Sequence, residues 1–87
     1  MTIEKIISRV KEILRAKEVV VRHFEHDDEI VFDVYDILVI DYYHMDICNY
    51  SFHKNIKTGE IMLVSVDGKT HIRKIEKMQQ FAEEMSE

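Results

Sequence analysis

Apolar residues recur at Ile3, Ile6, Ile7, Val10, Ile13 and Leu14. Those intervals place all six on one stripe of an α-helix. The pattern predicts an N-terminal helix from about Ile3 to Ala16. Thr2 is its N-cap, since a hydroxyl there can accept from an orphan backbone N–H. Glu4 in the first turn and Arg15 and Lys17 near the last suit the helix dipole. Lys5, Arg9, Lys11 and Glu12 make the opposite face, which reads as solvated.

At Val19-Val20-Val21 the residues turn β-branched, and a first strand runs to about Phe24. His26-Asp27-Asp28 reads as a turn. A second strand starts at Glu29, with Ile30, Phe32 and Val34 on one face and Val31, Asp33 and Tyr35 on the other. The apolar run Ile37–Ile40 either continues this strand past a bulge at Asp36 or forms a short strand of its own. Another strand covers about Asp46 to Asn55, with Cys48, Tyr50 and Phe52 on one face. Tyr43, Met45 and Ile47 have the opposite parity, which predicts a bulge or turn near Ile47. Asn55 to Glu60, with Gly59, is the strongest turn signal in the chain. A last strand spans Glu60 to Val66, with Ile61, Leu63 and Ser65 alternating against Met62, Val64 and Val66, and ends at Asp67-Gly68. Thr70 caps a final helix from about His71 to Met85. Its stripe is Ile72, Ile75, Met78, Gln79, Ala82 and Met85, with Phe81 at the edge. The expected fold is α+β: helix, a four- or five-stranded antiparallel sheet, helix, with both helices on one sheet face. At 87 residues this is one small domain, and a homodimer would ease its shortage of burial.

Charge changes the picture in the middle of the chain. Between Arg22 and Lys54 lie 31 positions without a Lys or Arg. They carry eight carboxylates: Glu25, Asp27, Asp28, Glu29, Asp33, Asp36, Asp41 and Asp46. The whole-chain net of −5 is therefore −8 in this stretch and +3 outside it. The uncovered sheet face is expected to hold much of this acidic set. Direct nucleic-acid binding is disfavoured, because it needs cations to displace counterions. A basic protein partner suits the balance. The single Cys48 excludes an intramolecular disulfide. No apolar run is long enough to span a membrane, and the expectation is a cytoplasmic protein that engages no membrane.

Candidate chemistry is sparse. His44, Asp46 and Cys48 stand at i, i+2 and i+4, so one strand face can present all three, and each is a zinc-ligand type. A fourth ligand could come from His53 or His23. The competing reading makes Cys48 a small buried apolar residue beside Tyr50 and Phe52. Asp33, Asp36, Asp41 and Asp46 could hold Mg²⁺, but no basic residue is near in sequence to hold a phosphate. Ser51 and His53 share a strand face without an activating arrangement. No Gly-rich phosphate loop exists. No enzyme activity, metal or cofactor is expected.

The acidic stretch has two readings. Sheets place charges on wet faces to stay soluble. Alternatively, carboxylates at about 6.6 Å intervals along a strand come close to the spacing of phosphates on a nucleic-acid strand and can occupy a channel meant for one. In size, acidity and small α+β plan the chain resembles phage-encoded inhibitors, anti-CRISPR proteins among them, and nuclease immunity proteins. That resemblance covers bulk properties and no motif. The function it implies is inhibition of a basic, nucleic-acid-handling protein, without catalysis. The expected contact residues are Asp27, Asp28, Glu29, Asp33, Asp36, Asp41 and Asp46, with Tyr42 and Tyr43 as anchors. The alternatives are a small metal-binding domain or metal-dependent enzyme at His44, Asp46 and Cys48, and a structural subunit of a homo-oligomer that uses its sheet face or edge.

Overall fold

A computed structural model describes residues 2–86. The elements run α1 (Ile3–Leu14), β1 (Glu18–His26), β2 (Glu29–Val39), β3 (Met45–Asn55), β4 (Ile61–Asp67) and α2 (Ile72–Met85). The strands form one antiparallel meander in the order β1-β2-β3-β4. Helix α1 packs on β1 and α2 packs on β4. The expected helix–sheet–helix plan is present, with four strands.

Local chemistry accounts for the element ends. Thr2 caps α1, its hydroxyl accepting from the Lys5 N–H at 3.2 Å. The helix stops two residues earlier than expected, because Arg15 adopts a left-handed conformation (φ 52). The Ala16 N–H then returns to the Lys11 carbonyl at 3.0 Å and satisfies a terminal acceptor. Asp27 takes a positive φ of 54 in the β1–β2 turn, a conformation Asp tolerates. In the β3–β4 turn the Asn55 carboxamide accepts from the Lys57 and Thr58 N–H groups, and Gly59 sits at φ 77. Helix α2 is capped by His71, whose ring nitrogen accepts from the Arg73 N–H at 3.2 Å. Thr70, the expected cap, is engaged elsewhere. Its hydroxyl lies 2.6 Å from the Tyr50 hydroxyl.

The core lies between the sheet and the two helices. Ile6, Val10 and Leu14 enter it from α1, and Met78, Phe81, Ala82 and Met85 from α2. The sheet contributes Val19, Val34, Cys48, Tyr50, Phe52 and Ile61. Phe81, expected at the edge of its stripe, is fully buried, and its ring stands edge-on to Phe52 at 6.2 Å. Each such ring is worth about 1.5–3 kcal/mol in burial. Ile72 and Gln79, expected on the stripe, face solvent.

Three register expectations need correction. Strand β2 runs without a break through Asp36 to Val39, with no bulge there. Nothing flips near Ile47. Met45 and Ile47 stand on the face opposite Cys48 and are exposed there. The one register shift falls between Ser51 and Phe52 against β4. Val64 is the extra residue, so Ile61, Leu63 and Val66 face the core instead of Ile61, Leu63 and Ser65.

Candidate functional site

Strand pairing fixes what each sheet face displays. Arg22, Asp33 and Ser51 pair across three strands, and so do Phe24, Val31 and His53. Both rows lie on the side without helices. Val20, Tyr35 and Asn49 make a third row, and Glu18, Ile37 and Ile47 a fourth. This open face is largely apolar. Val20, Phe24, Ile47, Met62 and Val64 all remain well exposed on it. Its charges are Glu18, Glu29, Asp33 and Asp67, with Arg22 as its cation. The Glu29 carboxylate accepts from the His53 ring Nδ1 at 3.0 Å.

Strands β2 and β3 outrun their neighbours at one end. The last β1 pairing is Glu18 with Ile37, and the last β4 pairing is Asp67 with Asn49. Beyond those points β2 and β3 pair only with each other, so residues 38–47 form a projecting hairpin arm. The arm contributes to an elongated shape of 44 × 23 × 22 Å. Its turn is built by Asp41. The carboxylate accepts from the Tyr43 N–H at 2.8 Å and lies 2.8 Å from the His44 ring nitrogen. The Tyr43 N–H first, and the His44 ring second, hold the Asp41 carboxyl below its ordinary range. Tyr42 and Tyr43 stand edge-on at 5.0 Å and are 92% and 86% exposed. Leu38, Val39, Ile40, Met45 and Ile47 complete an arm in which every large apolar side chain is exposed. A contiguous patch of this kind marks an interaction surface.

The acidic residues do not share one face. Glu29 and Asp33 lie on the open face. Asp27 and Asp28 form the β1–β2 turn, at the opposite end of β2 from Asp41. Asp36 and Asp46 lie on the helix side, by the pairing of Asp36 with Cys48 and of Leu38 with Asp46. Asp36 is nearly covered, its side chain 13% exposed and 3.6 Å from the Lys74 ammonium. The expectation of a single acidic sheet face is therefore corrected to a split set. The arm keeps Asp41, Asp46, Tyr42 and Tyr43 together.

The alternative metal set is not assembled. The His44 ring is turned to Asp41 in the arm turn, and Cys48 is buried in the core. Burial pushes the Cys48 thiol up, away from the thiolate a metal needs. Among the described residues no group of three or more His, Cys, Asp or Glu could hold a metal ion. Asp33 and Asp36 point to opposite faces, so the Asp quartet proposed for Mg²⁺ does not converge either. Among the described residues no helix is long and apolar enough to cross a membrane.

Sequence alternation missed one feature entirely. Where α1 ends and α2 begins, the two antiparallel helices leave a cleft of about 730 Å³ over the root of the arm. Asp36 and Cys48 lie at its floor. Lys11, Arg15 and Lys17 line it from the α1 side, and Lys69 and Lys74 from the α2 side. Leu14, Ala16, Leu38 and Val39 give it aliphatic walls, and Glu18 and Asp46 add carboxylates to its lining. Lys74 pairs with Asp36, whereas Lys11, Arg15, Lys17 and Lys69 make no ion pair with a described carboxylate. The molecule is thus polarised. Residues 18–67, the sheet and its turns, hold eleven carboxylates and three Lys or Arg, a net of −8. Residues 2–17 and 68–86, the helices and their flanks, hold nine Lys or Arg and five carboxylates, a net of +4.

No family model matches the chain, and no similar curated protein or solved structure is found. The geometry alone carries the functional argument.

Proposed function

We propose that this chain is a binding protein without catalysis that neutralises a basic protein partner, of the class that handles nucleic acid. The observation that carries this reading is the pairing of apolar area with acidic charge on the open sheet face and the arm. Val39, Met45 and Ile47 share the open face with the cation Arg22, and Leu38, Ile40, Tyr42 and Tyr43 extend the exposed apolar area along the arm. Tyr supplies large contact area at little entropic cost, so Tyr42 and Tyr43 act as anchors on residence time. Asp27, Asp28, Glu29, Asp33, Asp41 and Asp46 act on encounter rate and register. Asp36 contributes less, because Lys74 already neutralises it. The carboxylates do not form a single-file ladder, so the contact is a docked surface with an acidic border, not a copy of a nucleic-acid backbone.

The test compares the wild type with two variants in affinity capture from a cell lysate, eluted by a salt gradient. Tyr42→Ser with Tyr43→Ser removes the anchors. Asp27→Asn, Asp33→Asn and Asp46→Asn together remove charge. A basic nucleic-acid-handling protein should be retained by the wild type and released between about 0.2 and 0.5 M salt, where screening shortens to a few Å. Both variants should lose it while their unfolding free energies from urea titration stay within about 0.5 kcal/mol of wild type. Retention by both variants at the same salt, or a wild type that retains nothing, refutes the proposal.

A further inference from the structure

The cleft over the arm root lies on the helix side, away from the open sheet face. Its lining carries five cations, Lys11, Arg15, Lys17, Lys69 and Lys74, against three carboxylates, Glu18, Asp36 and Asp46, and its walls are aliphatic. An occupant that matches must be acidic, apolar and narrow enough for about 730 Å³. The arm tip has these properties: Asp41 beside Tyr42 and Tyr43, and no Lys or Arg anywhere between Arg22 and Lys54. A chain cannot seat its own tip there, because Leu38 and Val39 at the arm's root are part of the wall and the strands run outward from it. The tip of a second copy is under no such constraint.

We propose that two copies of this chain exchange arms, each seating its Asp41–Tyr43 tip in the cleft of the other between Lys11 and Lys17 on one lip and Lys69 on the other. The inference rests on reading the arm as a binding element. Arm and cleft adjoin in each copy, so a two-fold axis places both arms and both clefts in one closed interface. Association of that symmetry stops at the dimer. It brings the acidic tip against unpaired cations and covers apolar area that is otherwise in water. The open sheet face stays free in the dimer, whereas the Asp41–Tyr43 tip is shared, so the dimer and the basic partner compete for it.

Sedimentation velocity of the full chain tests this, over about 10 µM to about 1 mM protein. The wild type should show a monomer–dimer equilibrium that shifts toward monomer at about 0.5 M salt. Asp41→Asn with Tyr42→Lys makes the tip cationic and keeps a side-chain acceptor for the Tyr43 N–H. Lys11→Glu with Lys17→Glu makes the cleft acidic and leaves the left-handed Arg15 in place. Each double variant alone should weaken self-association by at least about tenfold, since like charges then meet. An equimolar mixture of the two should restore the dimer, because each arm again meets a cleft of opposite sign. All four changes are at exposed positions, and circular dichroism checks that the fold is kept. A wild type that stays monomeric throughout, or a mixture no more dimeric than its components, overturns the proposal. Capture of the basic partner is read separately. The cleft variant should keep it while losing the dimer. A wild type that captures the partner but stays monomeric sinks only the arm exchange, and a wild type that dimerises but captures nothing sinks only the docking surface.

Discussion

Gly68→Ala and Gly59→Ala change the same atom count in two turns and should differ sharply in cost. Both glycines have positive φ, 121 and 77 respectively. An L-residue at such a φ costs about 1–2 kcal/mol. At Gly59 nothing lies within 4 Å of an added Cβ, so that conformational cost is the whole effect, about 1 kcal/mol. At Gly68 the Cβ would stand 2.5 Å from the Ile47 carbonyl oxygen and 2.9 Å from the Cys48 Cα. Both are backbone atoms of β3, so no side chain can swing aside. Relieving the overlap means moving β4's end from β3 by several tenths of an ångström, and overpacking of this kind adds about 1–3 kcal/mol. Gly68→Ala should therefore cost about 3 kcal/mol in all. For a chain of this length that is a large share of a total stability of roughly 4–13 kcal/mol. Urea unfolding measures it. With a slope of about 1.3 kcal/mol/M, the two midpoints should lie about 1.5 M apart with equal slopes. Coincident midpoints would refute the view that the Asp67–Lys69 turn is pressed against the arm root.

Other outcomes follow from the core and its caps. Burial pushes the Tyr50 hydroxyl from an ordinary value near 10 up to about 12. Because the folded value is the higher, this group's contribution to stability is complete below about pH 10 and is lost as pH rises toward about 12. An absorbance titration should show one of the four tyrosines ionising late, and Tyr50→Phe should delete that step; an unchanged curve in the variant would exclude the assignment. Thr70→Val should cost about 1 kcal/mol through the lost Tyr50 partner yet leave helix content by circular dichroism unchanged, since His71 caps α2; a drop in helix content would restore Thr70 as the cap. Cys48, buried and with its thiol pushed up by that burial, should react with an aromatic disulfide at least about a hundredfold more slowly in buffer than in urea, because attack waits on opening of the core; equal rates would place the thiol at the surface.

Much of this fold is local in origin and so was legible along the chain. The α1 stripe and the Thr2 cap need only residues within a turn or two of each other. The same holds for the β1–β2 turn at Asp27-Asp28 and the Asn55–Gly59 turn, whose residue types carry their own backbone geometry. Alternation also put Cys48, Tyr50 and Phe52 on one face, and the core is there. The α2 cap was misplaced because Thr70's hydroxyl is claimed by Tyr50, twenty residues away. The bulge was misplaced because β4 decides it, at Val64, and β3 alone carries no mark of it.

The candidate site was half legible. The run without Lys or Arg and the Tyr42–Tyr43 pair marked residues 23–53 as the unusual part of the chain. Period-two alternation gives the parity of a side chain, but not which neighbours its strand has at that height. Ile37–Ile40 is a run of four aliphatic residues, and its last three are exposed only because β1 starts at Glu18 and β4 stops at Asp67. For the same reason the sequence could not separate Asp33, on the open face, from Asp36, under Lys74. The cleft needs α1's end and α2's start, more than fifty residues apart, to meet over β2 and β3. Sequence determined the elements, their order and their charge, because those depend on neighbours in the chain. Where strands outrun one another and where helix ends part are set by long-range packing, and only the tertiary structure decided them.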